Sequence, residues 1–262
     1  MRRWVFLVVL LSGTSQAQDF DHSHGAWDAL LKRDVVVAAD GKSSRVRYES
    51  VARDREGLHR YLQTLSAVEE RQFQGWNKEQ RMAFLINAYN AFMVEKILAR
   101  YPDIRSVWDF GKLFGNPFKD EFFSLLGKKS SLDGIEHGIL RAPGAYDEPR
   151  VHFALNCASV GCPMLRAEAY VPDRLETQLE DQAVRFLSDR ERNRMRDGRL
   201  EVSKIFDWYA RDFSSPEKFF SRYAALLADG ADQQDLVRNG KAPLSFLDYD
   251  WSLNAFPSSS PR

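Results

Sequence analysis

The chain has little of what marks several large functional classes. It carries only two cysteines, Cys157 and Cys162, in 262 residues, too few for a small disulfide-stapled scaffold. It has no excess charge: 37 basic residues meet 37 acidic ones, so nothing steers it toward nucleic acid. No apolar run approaches the roughly 20 residues that cross a bilayer. Internal repeats are absent, and low complexity is confined to residues 257–261. The patterns GxSxG, HExxH, the phosphate-binding loop and GxGxxG are also missing, which removes the commonest signatures of serine hydrolases, zinc proteases and nucleotide enzymes. No metal and no cofactor is expected. The 44% hydrophobic and 13% aromatic content that remains belongs to a packed globular protein rather than a disordered one.

The N-terminus reads as an address. Met1-Arg2-Arg3 is followed by the uncharged residues 4–11 and then by Ser15-Gln16-Ala17, a basic segment, a short apolar segment and a small-x-small cleavage site. Residues 1–17 are therefore expected to be a secretory signal peptide cleaved near Ala17, with a periplasmic or secreted mature protein. The apolar stretch is too short for a span, and no other segment is a candidate, so no membrane span is expected in the mature chain. Losing Arg2 and Arg3 leaves 35 basic against 37 acidic residues. Residues 18–254 read as one domain, with 255–262 as a flexible tail.

Periodicity predicts a helix-rich α+β domain with a small sheet. Short helical spacing occupies 24–32, a hairpin with a glycine-containing turn spans 35–48, and a helix covers 50–65. The strongest signal is the broad apolar stripe of 78–100, with Asn77 as N-cap and Gln80 at the capping-box position. The segment Ser130-Ser131-Leu132-Asp133 is placed to cap a helix over 134–141. The run 150–155 is apolar and β-type, so it reads as a buried strand, and Asn156 to Pro163 reads as a loop. Further helices are expected over 172–190, 206–213 and 216–227, with strands at 199–202 and 245–249.

Chemistry concentrates around that loop. Cys157 lies just past the end of the predicted strand and needs a base to become a thiolate. His152 is nearest in sequence, but an odd spacing on a strand puts it on the opposite face. His137, preceded by Glu136, is the second candidate. The five-residue spacing of Cys157 and Cys162 equally suits a small-loop disulfide in an oxidising compartment, which excludes a free nucleophile at the same moment. Metal binding by both cysteines and a histidine is disfavoured, because C-x4-C is wider than tight zinc knuckles. Asn87 and Asn90, three apart on the strongest helix, share a face and either line a pocket or bracket neighbouring backbone. Arg141 and Arg150 are placed to pair with a carboxylate of substrate or protein. The aromatic pairs Trp208-Tyr209 and Tyr249/Trp251 read as core, with a sugar-stacking platform as the alternative.

Taken in order, Phe84-Leu85-Ile86-Asn87-Ala88-Tyr89-Asn90-Ala91, Ser131-Leu132-Asp133-Gly134-Ile135-Glu136-His137-Gly138-Ile139-Leu140-Arg141, Arg150-Val151-His152-Phe153-Ala154-Leu155-Asn156-Cys157-Ala158-Ser159 and Cys162-Pro163 resemble the family catalogued as domain of unknown function 547. Phe206-Asp207-Trp208-Tyr209 with Asp212-Phe213, and residues 247–254, resemble its C-terminal blocks, so the family-like core runs from about 70 to 254. The resemblance implies one domain and an exported bacterial type of member, but no reaction. It places the family's polar positions at Asn87, Asn90, Glu136, His137, Arg141, Arg150, His152, Cys157 and Ser159. By analogy, such a cluster suits a papain- or transglutaminase-like site.

Two functions are expected from these residues. The first is an exported cysteine-dependent hydrolase or acyl transferase acting on an amide or thioester. Cys157 would be its nucleophile, His152 the base with His137 as runner-up, and Asn87 the group that orients the imidazole or donates to the oxyanion. Asn90, Glu136, Arg141, Arg150 and Ser159 would shape the pocket. The second is a non-catalytic envelope binding or scaffold domain stapled by a Cys157–Cys162 disulfide. Its partner would be a small molecule, a peptide or an envelope component.

Overall fold

Asn77 starts the helix on which the rest of the chain packs. Its side chain accepts from the Gln80 N–H while Gln80 reaches back to the Asn77 N–H, the reciprocal cap that the sequence predicts. The helix it opens, α5, runs from Lys78 to Leu98 and is buried over most of its circumference, not along one stripe. A computed structural model describes residues 19–111 and 115–257; the expected signal peptide and residues 258–262 lie outside the described residues.

Before α5 come α1 (Gly25–Asp34), the hairpin of β1 (Val35–Val37) and β2 (Ser44–Val46), α2 (Tyr48–Arg53), α3 (Arg55–Ser66) and α4 (Glu70–Gln74). After it follow the hairpin of β3 (Phe123–Leu125) and β4 (Lys128–Ser130), α6 (Leu132–Ile135), α7 (Val151–Ala154) and α8 (Leu175–Leu187). The C-terminal part holds β5 (Arg194–Arg196), β6 (Arg199–Val202), α9 (Ile205–Trp208), α10 (Pro216–Arg222), α11 (Ala224–Leu227), α12 (Ala231–Arg238) and β7 (Leu244–Phe246). β6 pairs antiparallel with β5 and parallel with β7. The result is the helix-rich α+β fold expected, with its strands in three small sheets among the described residues. No described helix is long and apolar enough to cross a membrane.

Two apolar clusters form the interior. The larger surrounds α5 and includes Trp27, Tyr48, Leu58, Phe84, Leu85 and Ile97. The smaller gathers Phe186, Phe206, Phe213, Phe219 and Phe220. They meet at α7: Val151 and Ala154 belong to the first cluster and Phe153 to the second. This corrects the strand expected over 150–155. A four-residue segment that is apolar on every side has no period to read, and wedging between two cores favours a single helical turn.

The tail boundary also shifts. Ala255 bridges to Val46, and the Phe256 N–H donates to the Val46 carbonyl at 2.8 Å. The chain is therefore held to Phe256, two residues beyond the expected end of the domain.

Candidate functional site

The segment from α7 to Pro163 is positioned by buried amides. Asn90 on α5 donates to the Ala154 carbonyl (2.9 Å) and accepts from the Asn156 N–H (2.8 Å), so it grips the chain on both sides of Leu155. Gln182 on α8 donates to the Phe153 and Met164 carbonyls, each at 2.9 Å. Asn156 then folds the loop: its side chain accepts from the Ala158 N–H (3.0 Å) and donates to the Pro163 carbonyl (2.8 Å). This Asx turn holds Ala158 at φ 61°, a backbone region that residues with a Cβ rarely adopt. Gly161 lies against the chain at Tyr249–Asp250; a Cβ there would sit 2.9 Å from the Asp250 nitrogen, so only glycine fits.

Asn90→Ala tests this account. It would strand a buried carbonyl and a buried N–H, and each unsatisfied group costs about 1–3 kcal/mol. We expect a loss of roughly 2–4 kcal/mol, read as a lower urea midpoint at unchanged slope. An unchanged midpoint would show that the bracket is not structural.

The loop delivers Cys157 into a cavity of about 450 Å3. Both cysteines are free thiols; the disulfide expected from their spacing is not formed. Instead the Cys157 N–H donates to Cys162 Sγ at 2.9 Å, and the Cys162 thiol points at the Leu155 carbonyl at 3.6 Å. Cys157 Sγ lies 2.9 Å from Ser159 Oγ and 3.2 Å from Tyr249 Oη. Burial pushes the Cys157 thiol up, but hydrogen bonds from Cys162, Ser159 and Tyr249 outweigh it and bring it down to about 7. Cys162 moves the other way, well up, through burial and the neighbouring Cys157. Of the two, Cys157 is the thiol that deprotonates more readily.

His152 lines the same cavity, since the helical turn of α7 removes the alternation that would have turned it away. Its Nε2 is 2.7 Å from Asp212 Oδ2, and its ring stacks on Tyr209 with centroids 3.9 Å apart. Nδ1 lies 3.9 Å from Glu136 Oε1, with no hydrogen-bond partner among the described residues. A carboxylate at Nε2 keeps the proton there and leaves the Nδ1 lone pair for the cavity. Asp212 is also held by Arg141, through Nε at 2.5 Å and the second amino nitrogen at 3.1 Å. Burial raises the Asp212 carboxyl, and the His152 and Arg141 hydrogen bonds more than reverse this, so it sits well below the ordinary carboxylate range.

Glu136 and His137 reach the cavity from a π-helical turn, Glu136–Leu140, that continues α6; Ser131 caps α6 by accepting from the Gly134 N–H. Such turns recur at functional sites because the extra residue redirects side chains. Arg141 contacts His137 Nδ1, so that ring nitrogen is already engaged.

Three expected residues do other work. Asn87 pairs both halves of its amide with the Tyr170 backbone, at 2.7 and 3.0 Å. It does not line the cavity, so its expected role beside the imidazole is corrected to a structural bracket. Arg150 is bound by Glu148, Glu176 and Glu180 and faces a separate cleft of about 940 Å3 that neither cysteine nor histidine lines. Arg141 opens onto that cleft too and serves the site through Asp212, His137 and the Tyr209 ring, over which its guanidinium lies at 4.7 Å. Ser159 is buried and acts through the Cys157 sulfur.

Asp212, Tyr209 and Tyr249 were not among the expected site residues. Asp212 had no sequence signal beyond its place in a C-terminal block, and Trp208-Tyr209 and Tyr249/Trp251 read as core, with a sugar-stacking platform as the alternative. Trp208, Tyr209, Tyr249 and Trp251 instead line the cavity, together with Trp108 and Phe118.

Residues 73–187 match the family described as "Protein of unknown function, DUF547". The matched span ends short of the C-terminal blocks, although Tyr209, Asp212 and Tyr249 complete the site that its own residues build. No curated protein and no solved structure matches the chain.

Proposed function

Residues 73–187 match a family whose description assigns no reaction, and we propose from the site that the protein is a cysteine-dependent hydrolase or acyl transferase acting on an amide or thioester. The observation that carries this reading is the Cys157 thiol, brought down to about 7 by its hydrogen bonds in the same cavity as a His152–Asp212 pair held at 2.7 Å. The thiolate attacks the carbonyl carbon, forming a C–S bond. His152 Nδ1, having taken the Cys157 thiol proton, gives it to the departing amine or thiol as the substrate's own C–N or C–S bond breaks, leaving the acyl group on Cys157. Water or an acceptor then attacks the thioester, His152 takes its proton, and the thiolate leaves. Asp212 fixes the tautomer and balances the imidazolium, the task first assigned to Asn87. The likeness to papain- or transglutaminase-like sites is one of residue roles.

We place this activity outside the cytoplasm, on the strength of the leader-like residues 1–17. The alternative, an envelope binding or scaffold domain, has less support because its staple is absent: Cys157 and Cys162 are both free.

Alkylation by iodoacetamide across pH tests the reading before any substrate is known. Cys157 is expected to label without prior reduction, with a midpoint near 7 against about 8.5 for an ordinary thiol. Ser159→Ala and Tyr249→Phe each remove a donor and are expected to raise that midpoint. Label entering only after reduction, or a wild-type midpoint at or above the ordinary value, would overturn the proposal and favour the scaffold.

A further inference from the structure

The mouth of the Cys157 cavity has a composition that the acyl chemistry does not require. Trp208 and Trp251 stack with centroids 5.7 Å apart at 28°, and Trp108 stands edge-on to Trp251 at 5.3 Å and 80°. Trp108 is 41% exposed and Trp208 43%. Large apolar side chains gathered in the open around a concavity mark a ligand surface. The formal charges of the lining are of one sign: Asp133 and Glu136 are present, and no lysine or arginine occurs among the described lining residues.

Glu136 is the telling member. It is 8% exposed, so its carboxylate is largely desolvated, yet its ion-pair neighbours are only the rings of His137 at 4.0 Å and His152 at 3.9 Å. The Tyr209 hydroxyl also faces it. The nearest full cation, Arg141 over the Tyr209 ring, acts on it from beyond ion-pair reach, so an ammonium supplied by a ligand would be its first direct cationic partner among the described residues. Aromatic faces present negative potential, so the tryptophan walls favour the same sign of ligand as the carboxylates. An anionic ligand meets repulsion from both. A neutral one is accepted by the walls but leaves Glu136 as it was.

We propose that this cavity binds an alkylammonium group, of a free amine or of a lysine side chain, with its aliphatic stem against the tryptophans and its charge toward Glu136. The substrate of the Cys157 chemistry would then carry such a group. This last step rests on the cysteine reading, whereas the binding itself does not need a reactive sulfur.

The test therefore uses the full chain carrying Cys157→Ser and follows tryptophan fluorescence at pH 7.5, a value chosen as roughly neutral. The probes are n-pentylamine, which is an ammonium at that pH, pentan-1-ol and pentanoate. Nα-acetyl-lysine methylamide is compared with Nα-acetyl-norleucine methylamide, which lacks only the charged end. Pentylammonium is expected to bind about tenfold or more tightly than pentanol, and pentanoate more weakly than either. Glu136→Gln should erase the preference. Asp133→Asn, a change at a more exposed site, should reduce it even if the Glu136 variant folds poorly. The lysine derivative binding more tightly than pentylamine would support a protein-borne lysine, and equal binding a free amine. Pentanol or pentanoate matching pentylammonium, or no saturable change with any probe, would overturn the inference. A charge preference that survives in protein shown by the alkylation test to lack a reactive Cys157 would leave this inference standing and remove only the acyl chemistry.

Discussion

Cys157→Ser is expected to lower acylation by p-nitrophenyl acetate or by a small acetyl thioester at least about 10³-fold, while stability changes by less than about 1 kcal/mol. The two effects separate because the site is polar. A serine hydroxyl fits between Ser159 Oγ and Tyr249 Oη, which lie 2.9 and 3.2 Å from the sulfur, so folding has no cavity or unpaired group to charge against it. Cys162 together with those two donors brings a thiol down to about 7, but an alcohol starts so much higher that they leave it protonated. Cys162→Ser is the control. It retains an acceptor for the Cys157 N–H, now 2.9 Å from Cys162 Sγ, and is expected to keep acylation. Peptide mapping after brief reaction reads the acetyl group directly: on Cys157 in the wild type and the Cys162 variant, on neither residue 157 nor 162 in the Cys157 variant. A serine variant that acetylates at the wild-type rate would mean that the sulfur is not the nucleophile.

How much of this was readable in advance depended on the range over which each signal acts. α5 was legible because its cap and its apolar residues lie within one contiguous stretch, as the Asn77–Gln80 pair shows. The hairpin of β1 and β2 was legible for the same reason. The predicted 50–65 helix proved to be two, broken at Asp54, whose backbone leaves the helical region at φ −114° and ψ 40°. The hairpin of β3 and β4 was missed because its turn uses Leu126 and Gly127, both at positive φ, where an asparagine or aspartate before the glycine would have signalled it. α7 was misread because burial on all sides erases the period that separates strand from helix, and this error created a false objection to His152. Within the site, Cys157, His152, Glu136 and His137 were named from residue type and order. Two of their partners were not: Asp212 lies 60 residues from His152 and Tyr249 lies 92 from Cys157, distances at which spacing carries no information. Asn87 shows the converse limit. An amide that shares a helix face with Asn90 looks equally ready for catalysis or for bracketing, and only its two bonds to Tyr170 decide the matter.

Asp212→Asn is expected to slow acyl transfer on the order of 10²–10⁴-fold while leaving the alkylation midpoint of Cys157 near 7. The carboxylate touches no reacting atom; it is a positioning residue that accepts from His152 Nε2 at 2.7 Å. An asparagine there can turn its amino group toward Nε2, which would drive the proton to Nδ1 and remove the lone pair that faces the cavity. The thiolate would survive, because its stabilisers are Cys162, Ser159 and Tyr249, so alkylation and acyl transfer should part company. A purely structural role for Asp212 would damage both together. Asp212→Glu keeps the charge and is expected to restore part of the rate. Acid unfolding supplies an independent check. A carboxyl held below its ordinary value on folding contributes stability that is fully present above the unfolded value of about 3.9 and is lost as pH falls toward the folded one. The wild type should therefore lose a stabilising contribution below about pH 4 that the asparagine variant never had, and the stability gap between them should narrow there. A gap that stays constant down to pH 2, or an Asp212→Asn protein that transfers acyl groups at the wild-type rate, would detach Asp212 from His152 and leave the imidazole without the orienting partner that the proposed chemistry requires.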